Sequence, residues 1–300
     1  QLEELRRQFP TVERLTRIQA SVLNSLGRPE DTLRVLEEAQ DAGLPVDGDL
    51  APLRYETLHL LDRPDEAWAF IRPMLATQTE QRLNVLAEIG ISLYARGRVG
   101  TAQAVFEQLR SFAPDAARFT NNLGFILIGE GELTEAEQCF LQALEMPDSA
   151  EWRPLLLTNL GYLYLLQGNY TRADEYLREV ASLATKEWEA ILRVAYWQDG
   201  QVIPDYTPHP TRSLPVPAAA NANRVTLALA QGQIEDAEAL ARQMVQEDPD
   251  TPWGYEMLGW VLRATGEFDE ARQAWEQALE RAEDPEEQEA LARWLDALPD

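Results

Sequence analysis

The feature that most constrains the fold of this 300-residue chain is a repeat of about 34 residues. Two stretches nearly copy one another: residues 121–125 read Asn-Asn-Leu-Gly-Phe, and residues 158–162 read Thr-Asn-Leu-Gly-Tyr. Gly97, Gly131 and Gly168 are separated by 34 and 37 residues. A fixed period of this length indicates a repeat architecture, in which each unit buries its apolar face against the next one.

Within each copy, small and large side chains occupy fixed offsets from one another. The last copy shows the pattern in Tyr255, Leu258, Gly259, Leu262, Gly266, Ala271, Trp275 and Ala278. The pattern resembles the tetratricopeptide repeat, a family in which a large residue, Leu-Gly, an aromatic residue and two alanines recur every 34 residues. The resemblance implies an all-α fold: a right-handed α-solenoid of about seven helix-turn-helix repeats with an extended concave groove.

The resemblance also divides the chain. Clear copies lie at 83–116, 117–150, 154–187, 218–251 and 252–285, and weaker copies lie at 13–46 and 48–81. Repeats 1–5 therefore cover 13–187, and repeats 6 and 7 cover 218–285. We expect 286–300 to form a capping helix over the last apolar face. We read 1–12 as an N-terminal cap helix, or as the end of a longer helix from an upstream domain. Residues 146–153 are expected to lengthen one turn between repeats.

Residues 188–217 break the period, and we interpret them as a degenerate repeat. Trp188 to Ala195 could open another first helix. The alternative is a small β-hairpin, since Asp199-Gly200 lies between aromatic and β-branched residues. Five prolines follow: Pro204, Pro208, Pro210, Pro215 and Pro217. Proline fixes φ and removes a backbone donor, so we expect a proline-rich extended arm without a helix. Two interpretations stay open: a linker that lies over its neighbours, or a functional arm or lid.

The charge balance narrows the class of partner. The chain has 51 acidic and 26 basic residues, which gives a net charge of −25. It lacks the basic stripe that binding to nucleic acid requires, and anionic membrane surfaces are disfavoured for the same reason. No apolar run is long enough for membrane insertion. The acidic side chains form either a solvated convex face or a surface for a basic partner.

We expect no catalytic residues, no metal ligands and no cofactor. His59 and His209 are the only histidines, and Cys139 is the only cysteine, so no intrachain disulfide framework exists. Neither a dense metal-ligand cluster nor a Gly-rich phosphate loop is present. The sequence therefore predicts a protein that is not an enzyme.

The resemblance implies that ligand contacts come mainly from the first helix of each repeat. Two residues before the repeat glycine stand Asn122, Asn159 and Asn223, with Val225 in the glycine position of the last. In peptide-binding members of the family, Asn at this position bonds the backbone of an extended peptide. One turn on, the same face carries Ile91, Phe125, Tyr162, Thr226 and Trp260; one turn back it carries Asn84, Arg118 and Trp253.

We expect the three asparagines to be partly exposed, with Phe125 and Tyr162 nearby. The alternative is that Asn is tolerated at a half-exposed position and that the aromatic side chains pack into the neighbouring repeat. Only Arg118 suits a clamp for a peptide carboxylate, which argues against a chaperone cofactor.

These features predict a non-catalytic protein–protein interaction scaffold that binds an extended peptide or a partner helix in its groove. Two alternatives stay open: the ligand- or partner-sensing domain of a larger regulator, and an assembly factor of an envelope or secretion machine. The chain begins at Gln1 without an initiator Met, which leaves a removed domain or signal peptide open. We expect a cytoplasmic protein, with a periplasmic or exported one as the alternative. The partner and the oligomeric state are left open.

Overall fold

The computed structural model describes residues 2–9, 11–46, 50–74, 80–95, 97–183, 189–204 and 213–299. The helices are α1 (Leu2–Gln8), α2 (Glu13–Ser25), α3 (Pro29–Asp41), α4 (Ala51–Leu60), α5 (Pro64–Ile71), α6 (Glu80–Ala95), α7 (Val99–Phe112), α8 (Ala117–Gly129), α9 (Leu133–Leu144), α10 (Ser149–Leu166), α11 (Tyr170–Ser182), α12 (Val216–Ala230), α13 (Ile234–Glu247), α14 (Trp253–Thr265), α15 (Phe268–Arg281) and α16 (Pro285–Asp296). From α2 onward they follow one another in pairs, and α16 packs on α15 as a final helix. The predicted all-α repeat fold is confirmed.

The chain divides into two compact units, residues 1–115 and 116–300. Unit 1 contains α1 to α7, and one of its core clusters joins α2 and α3 through Ala20, Val35 and Leu36. Unit 2 contains α8 to α16, and its larger core runs through every repeat from α8 to the final helix. In each unit the two helices of a pair pack directly on each other.

The repeat signature reflects the close approach of the two helices in each pair. A Cβ added to Gly259 on α14 would lie 2.2 Å from Nε1 of Trp275 on α15, and one added to Gly161 would lie 2.4 Å from Cδ2 of Leu177. The glycine therefore makes room for the large side chain of the second helix. Gly131, in the turn between α8 and α9, has φ of 80°, a left-handed conformation that suits a helix end.

Gly259→Ala is expected to lower the free energy of unfolding by about 1–3 kcal/mol, because the new methyl group displaces the buried Trp275 ring. Gly100→Ala on α7 is the matched control, since no atom lies within 4 Å of its added Cβ. The control should be neutral or stabilising by up to about 1 kcal/mol, as alanine favours helix. Urea denaturation followed by circular dichroism measures both variants. Equal effects would show that the close approach does not limit this position.

The insertion between repeats 5 and 6 forms two antiparallel strand pairs. Strands β2 (Tyr196–Gln198) and β3 (Gln201–Ile203) make a hairpin, with Trp197 opposite Val202. Asp199 and Gly200 have φ of 51° and 86°, as a two-residue turn of this kind requires. The possible hairpin is confirmed, whereas the alternative of another first helix is wrong, because residues 189–195 form no helix.

The second strand pair was not predicted. It joins β1 (Glu189–Ile191) to β4 (Ser213–Pro215), and Ala190 lies opposite Leu214. Helix α12 begins at Val216, directly after β4. Most of the predicted extended arm lies at residues 205–212, which are outside the described residues. This range includes Pro208, His209 and Pro210.

The expected long turn at residues 146–153 is wrong. Helix α10 begins at Ser149 and contains Pro154 as its sixth residue. The first four residues of a helix have no intrahelical partner for their N–H groups, so a proline just beyond them removes only one hydrogen bond. The extra residues of this repeat therefore lengthen the first helix by more than a turn.

A buried tyrosine links three helices of repeats 4 and 5. Tyr164 on α10 donates a hydrogen bond of 2.5 Å to Oε1 of Glu137 on α9 and accepts one of 2.7 Å from Nη1 of Arg172 on α11. The ring of Tyr176 stacks on it at 5.6 Å. Burial raises the pKa of Tyr164 to about 12, and the hydrogen bond to Glu137 also raises it.

The raised pKa of Tyr164 predicts a loss of stability at alkaline pH. The folded chain keeps this proton to a higher pH than the unfolded chain, whose tyrosines titrate near pH 10. The stabilisation is therefore complete below pH 10 and is lost as the pH rises toward about 12. Urea denaturation at a series of pH values should show a shallower decline in Tyr164→Phe than in the parent chain. Tyr170→Phe on α11 is the control; a Tyr164→Phe decline as steep as the parent's would contradict the assignment.

Candidate functional site: the first-helix face of unit 2

The first helices of repeats 4 to 7 lie side by side in unit 2. Helix α8 packs next to α10, α10 next to α12, and α12 next to α14. We call the surface that these four helices present to the insertion the first-helix face. The strands β2 and β3 both contact α12, while β2 also contacts α14 and β3 contacts α10.

A stretch of the chain's own backbone lies on this face. We call residues 192–199 the inner segment; it leads from β1 through β2 to the hairpin turn. Its first five residues, Leu192, Arg193, Val194, Ala195 and Tyr196, are each at most 3% exposed. Residues 192–195 belong to no helix or strand, so their backbone groups need partners from elsewhere.

Two side chains of α12 supply partners for three of these backbone groups. The backbone N–H of Ala195 donates to Oδ1 of Asn223 at 2.8 Å, and Nδ2 of Asn223 donates to the carbonyl of Arg193 at 3.1 Å. The hydroxyl of Thr226 donates to the carbonyl of Ala195 at 2.5 Å. All three bonds involve only backbone atoms of the inner segment. Asn223 thus bonds a backbone that lies on this face, and that backbone is the chain's own.

Side chains of the inner segment contact aromatic rings of the first helices. The guanidinium carbon of Arg193 lies 4.9 Å from the ring centre of Phe125 on α8, a cation–π contact. The ring of Tyr196 lies 5.6 Å from that of Trp260 on α14 and 5.2 Å from that of Trp294 on α16. At the hairpin turn, Asp199 forms an ion pair of 3.0 Å with Arg263.

The asparagines of repeats 4 and 5 bond to one another. Nδ2 of Asn159 donates to Oδ1 of Asn121 at 2.9 Å, and Nδ2 of Asn121 donates to Oδ1 of Asn122 at 3.2 Å. Asn121 was not predicted as a site residue; its only signal was the Asn-Asn doublet. The expectation of partial exposure holds for the half-buried Asn122 but is wrong for Asn159 and Asn223, which are buried. Hydrogen bonds within the chain therefore involve both amide atoms of Asn223, the Nδ2 of Asn159 and the Oδ1 of Asn122.

The remaining predicted residues differ in exposure. Phe125, Tyr162 and Trp260 are buried, which agrees with the alternative that the aromatic side chains pack into neighbouring repeats. Arg118 is half-buried, with its guanidinium carbon 4.5 Å from the ring centre of Phe119. Trp253 is half-buried and borders a surface cavity of about 390 Å³.

Two predicted residues belong to unit 1. Asn84 and Ile91 both lie on α6, the first helix of repeat 3; Asn84 is half-buried and Ile91 is 38% exposed. Within the described residues, no group of three or more His, Cys, Asp and Glu side chains is placed to hold a metal ion. Among the described helices, none combines the length and apolarity needed to cross a bilayer.

Comparison with known proteins supports the repeat assignment. Residues 115–186 and 228–295 each match a model of the tetratricopeptide repeat family. The fold is similar to a tetratricopeptide repeat protein from Parabacteroides merdae ATCC 43184, with 15% identity, a TM-score of 0.60, and coverage of 94% of this chain and 96% of that one. It is also similar to yeast Tom70, with 14% identity, a TM-score of 0.60, and coverage of 99% and 57%. The two matched stretches contain tetratricopeptide repeats, and the fold is that of a tetratricopeptide repeat protein.

One curated relative extends the comparison. The cellulose synthase operon protein C of Xanthomonas axonopodis pv. citri (strain 306) is 29% identical over 161 residues, which is 54% of this chain. The match covers 9% of that protein, so the chain spans only a small part of its length.

Tetratricopeptide repeat proteins generally serve as protein-interaction scaffolds and typically have no catalytic activity.

Proposed function

We propose that this protein is a non-catalytic interaction scaffold that holds an extended peptide of a partner protein on the first-helix face of unit 2. One observation carries the proposal: Asn223 and Thr226 already hold three backbone groups of an extended segment there. Bonds to backbone atoms do not depend on side-chain identity, so the same chemistry suits a peptide from another protein.

The part of the face on α8 offers the most accessible groups. Asn122 and Arg118 are both half-buried and lie one helical turn apart. The Asn122 amide can bond a peptide backbone, and the Arg118 guanidinium can bind a carboxylate or a carbonyl oxygen. We propose that a partner peptide engages this end of the face, and that Phe125 and Tyr162 shape the surface below it.

Panning a random peptide library against the wild-type chain tests this proposal. Selected peptides should bind the double variant Arg118→Glu, Asn122→Ala at least tenfold more weakly than the wild type. The matched control is the double variant Arg178→Glu, Gln142→Ala. It makes the same arginine-to-glutamate change on α11 and removes the amide of an exposed glutamine on α9, and both of these are second helices. Peptides that lose affinity only for the control, or equally for both variants, would place the binding surface elsewhere and contradict the proposal.

The curated relative favours a second candidate, an assembly factor in an envelope polysaccharide machine. Its support is the 29% identity to the cellulose synthase operon protein C over 161 residues. This candidate would place the chain in the cell envelope. The gene that encodes the chain should then lie beside genes for a polysaccharide synthase, and deleting it should reduce the exported polysaccharide. A normal polysaccharide yield in the deletion strain would argue against this role.

A further inference from the structure

We propose that the inner segment is an internal ligand of the first-helix face. In its place the face takes an extended peptide with arginine at the first position, a small residue at the third and an aromatic residue at the fourth. This inference rests on the proposed function and specifies its partner class. In the inner segment these positions are Arg193, Ala195 and Tyr196.

The receiving side chains occupy equivalent positions of their repeats. Phe125, Thr226 and Trp260 each stand one residue after the repeat-glycine position, and Asn223 stands two residues before it. Stacked repeats therefore present these groups in a row, as an extended ligand requires. The inner segment runs along that row, from Phe125 on α8 to Trp260 on α14.

The contacts of the inner segment define what the face selects. A buried cation–π contact at Phe125 favours a guanidinium at the first position. Ala195 is fully buried while both its N–H and its carbonyl are bonded, so the third position has no space for a larger side chain. Tyr196 is fully buried against two tryptophan rings, Trp260 in a tilted contact and Trp294 in an edge contact, so the fourth position favours an aromatic side chain.

The inner segment is also expected to be less stable than the helices beneath it. It follows the three-residue strand β1 and contains the three-residue strand β2, and two-stranded ribbons of this size have little stability of their own. Its ion pair at Asp199 joins a carboxylate that is 71% exposed, and exposed pairs contribute little. We therefore expect the inner segment to leave the face without the helix pairs unfolding. Because the inner segment is tethered to the face, its effective concentration there is about a millimolar. It therefore outcompetes an external peptide that is present at a lower concentration.

The test uses a fluorescent synthetic peptide with the sequence of residues 189–204. Tyr196→Ala weakens the inner segment but leaves Asn223, Thr226, Phe125 and Trp260 in place. This variant should bind the peptide at least tenfold more tightly than the wild type does, measured by fluorescence anisotropy. A peptide in which the tyrosine is replaced by alanine should bind both proteins more weakly than the parent peptide does, because it lacks the aromatic side chain at the fourth position. Tyr170→Ala, which changes a half-buried tyrosine on α11, is the matched control and should behave as wild type.

Hydrogen exchange of the wild-type chain gives an independent test. Backbone amides of residues 192–196 should exchange through a local opening, faster than the central amides of α12 and α14. Exchange of both sets together, or equal peptide binding by wild type and a folded Tyr196→Ala variant, would overturn the proposal and make the inner segment a permanent part of the core. If Tyr196→Ala does not fold, Tyr196→Leu replaces it. Library peptides that bind through Arg118 and Asn122 would leave the proposed function standing even then.

Discussion

Trp260→Ala is expected to lower the free energy of unfolding of unit 2 by about 3–5 kcal/mol, because it removes the central ring of a buried cluster. Trp260 is 1% exposed. Its ring lies 5.1 Å from the rings of both Trp275 and Trp294, and 5.6 Å from that of Tyr196. The cluster joins a first helix, a second helix, the final helix and the inner segment, so a cavity there loosens all four.

Urea denaturation measures this effect, with circular dichroism for the helices and tryptophan fluorescence for the cluster. Phe268→Ala is the control, because this aromatic side chain at the start of α15 is 36% exposed. The control should change the free energy of unfolding by about 0.5 kcal/mol or less. A Trp260→Ala variant no less stable than Phe268→Ala would show that the four elements do not depend on the cluster.

The helix pairs could be predicted from the sequence because their determinants are local. The close approach of Gly259 to Trp275, or of Gly161 to Leu177, recurs with the period of the repeat. The hairpin turn at Asp199-Gly200 is likewise set by residues adjacent in sequence. The start of α10 could not be predicted in this way, because the repeat register begins this copy at residue 154, whereas Pro154 lies close enough to the helix start to be accommodated within α10.

The occupant of the site could not be predicted, because it depends on contacts between distant parts of the chain. The positions of Phe125, Asn223 and Trp260 on the first helices follow from the repeat register. Register does not show which extended segment lies against them. The contact of Arg193 with Phe125, and the ion pair of Asp199 with Arg263, join residues more than 60 positions apart. The chain around Arg193 carries no pattern that points to α8.

Asn223→Ala is expected to lower the free energy of unfolding by about 2–5 kcal/mol. The side chain is fully buried and bonds both the N–H of Ala195 and the carbonyl of Arg193. Removing it deletes both hydrogen bonds, and a buried backbone group that is left unsatisfied costs about 1–3 kcal/mol. The loss should appear first in the inner segment, as faster hydrogen exchange of the Ala195 amide, before the helices of repeats 6 and 7 are affected.

Asn122→Ala is the matched control, because Asn122 holds the same repeat position on α8 but is half-buried, and its side chain accepts a hydrogen bond from Asn121. It should lower the free energy of unfolding by about 1 kcal/mol or less, and should leave the exchange of the Ala195 amide unchanged. A small effect of both variants would mean that water replaces the Asn223 amide in the folded chain. The two asparagines hold the same repeat position, and the expected difference in their effects on stability depends on what covers each side chain. At Asn223 the chain's own backbone covers the side chain. Near Asn122 a partner peptide is proposed to take that place.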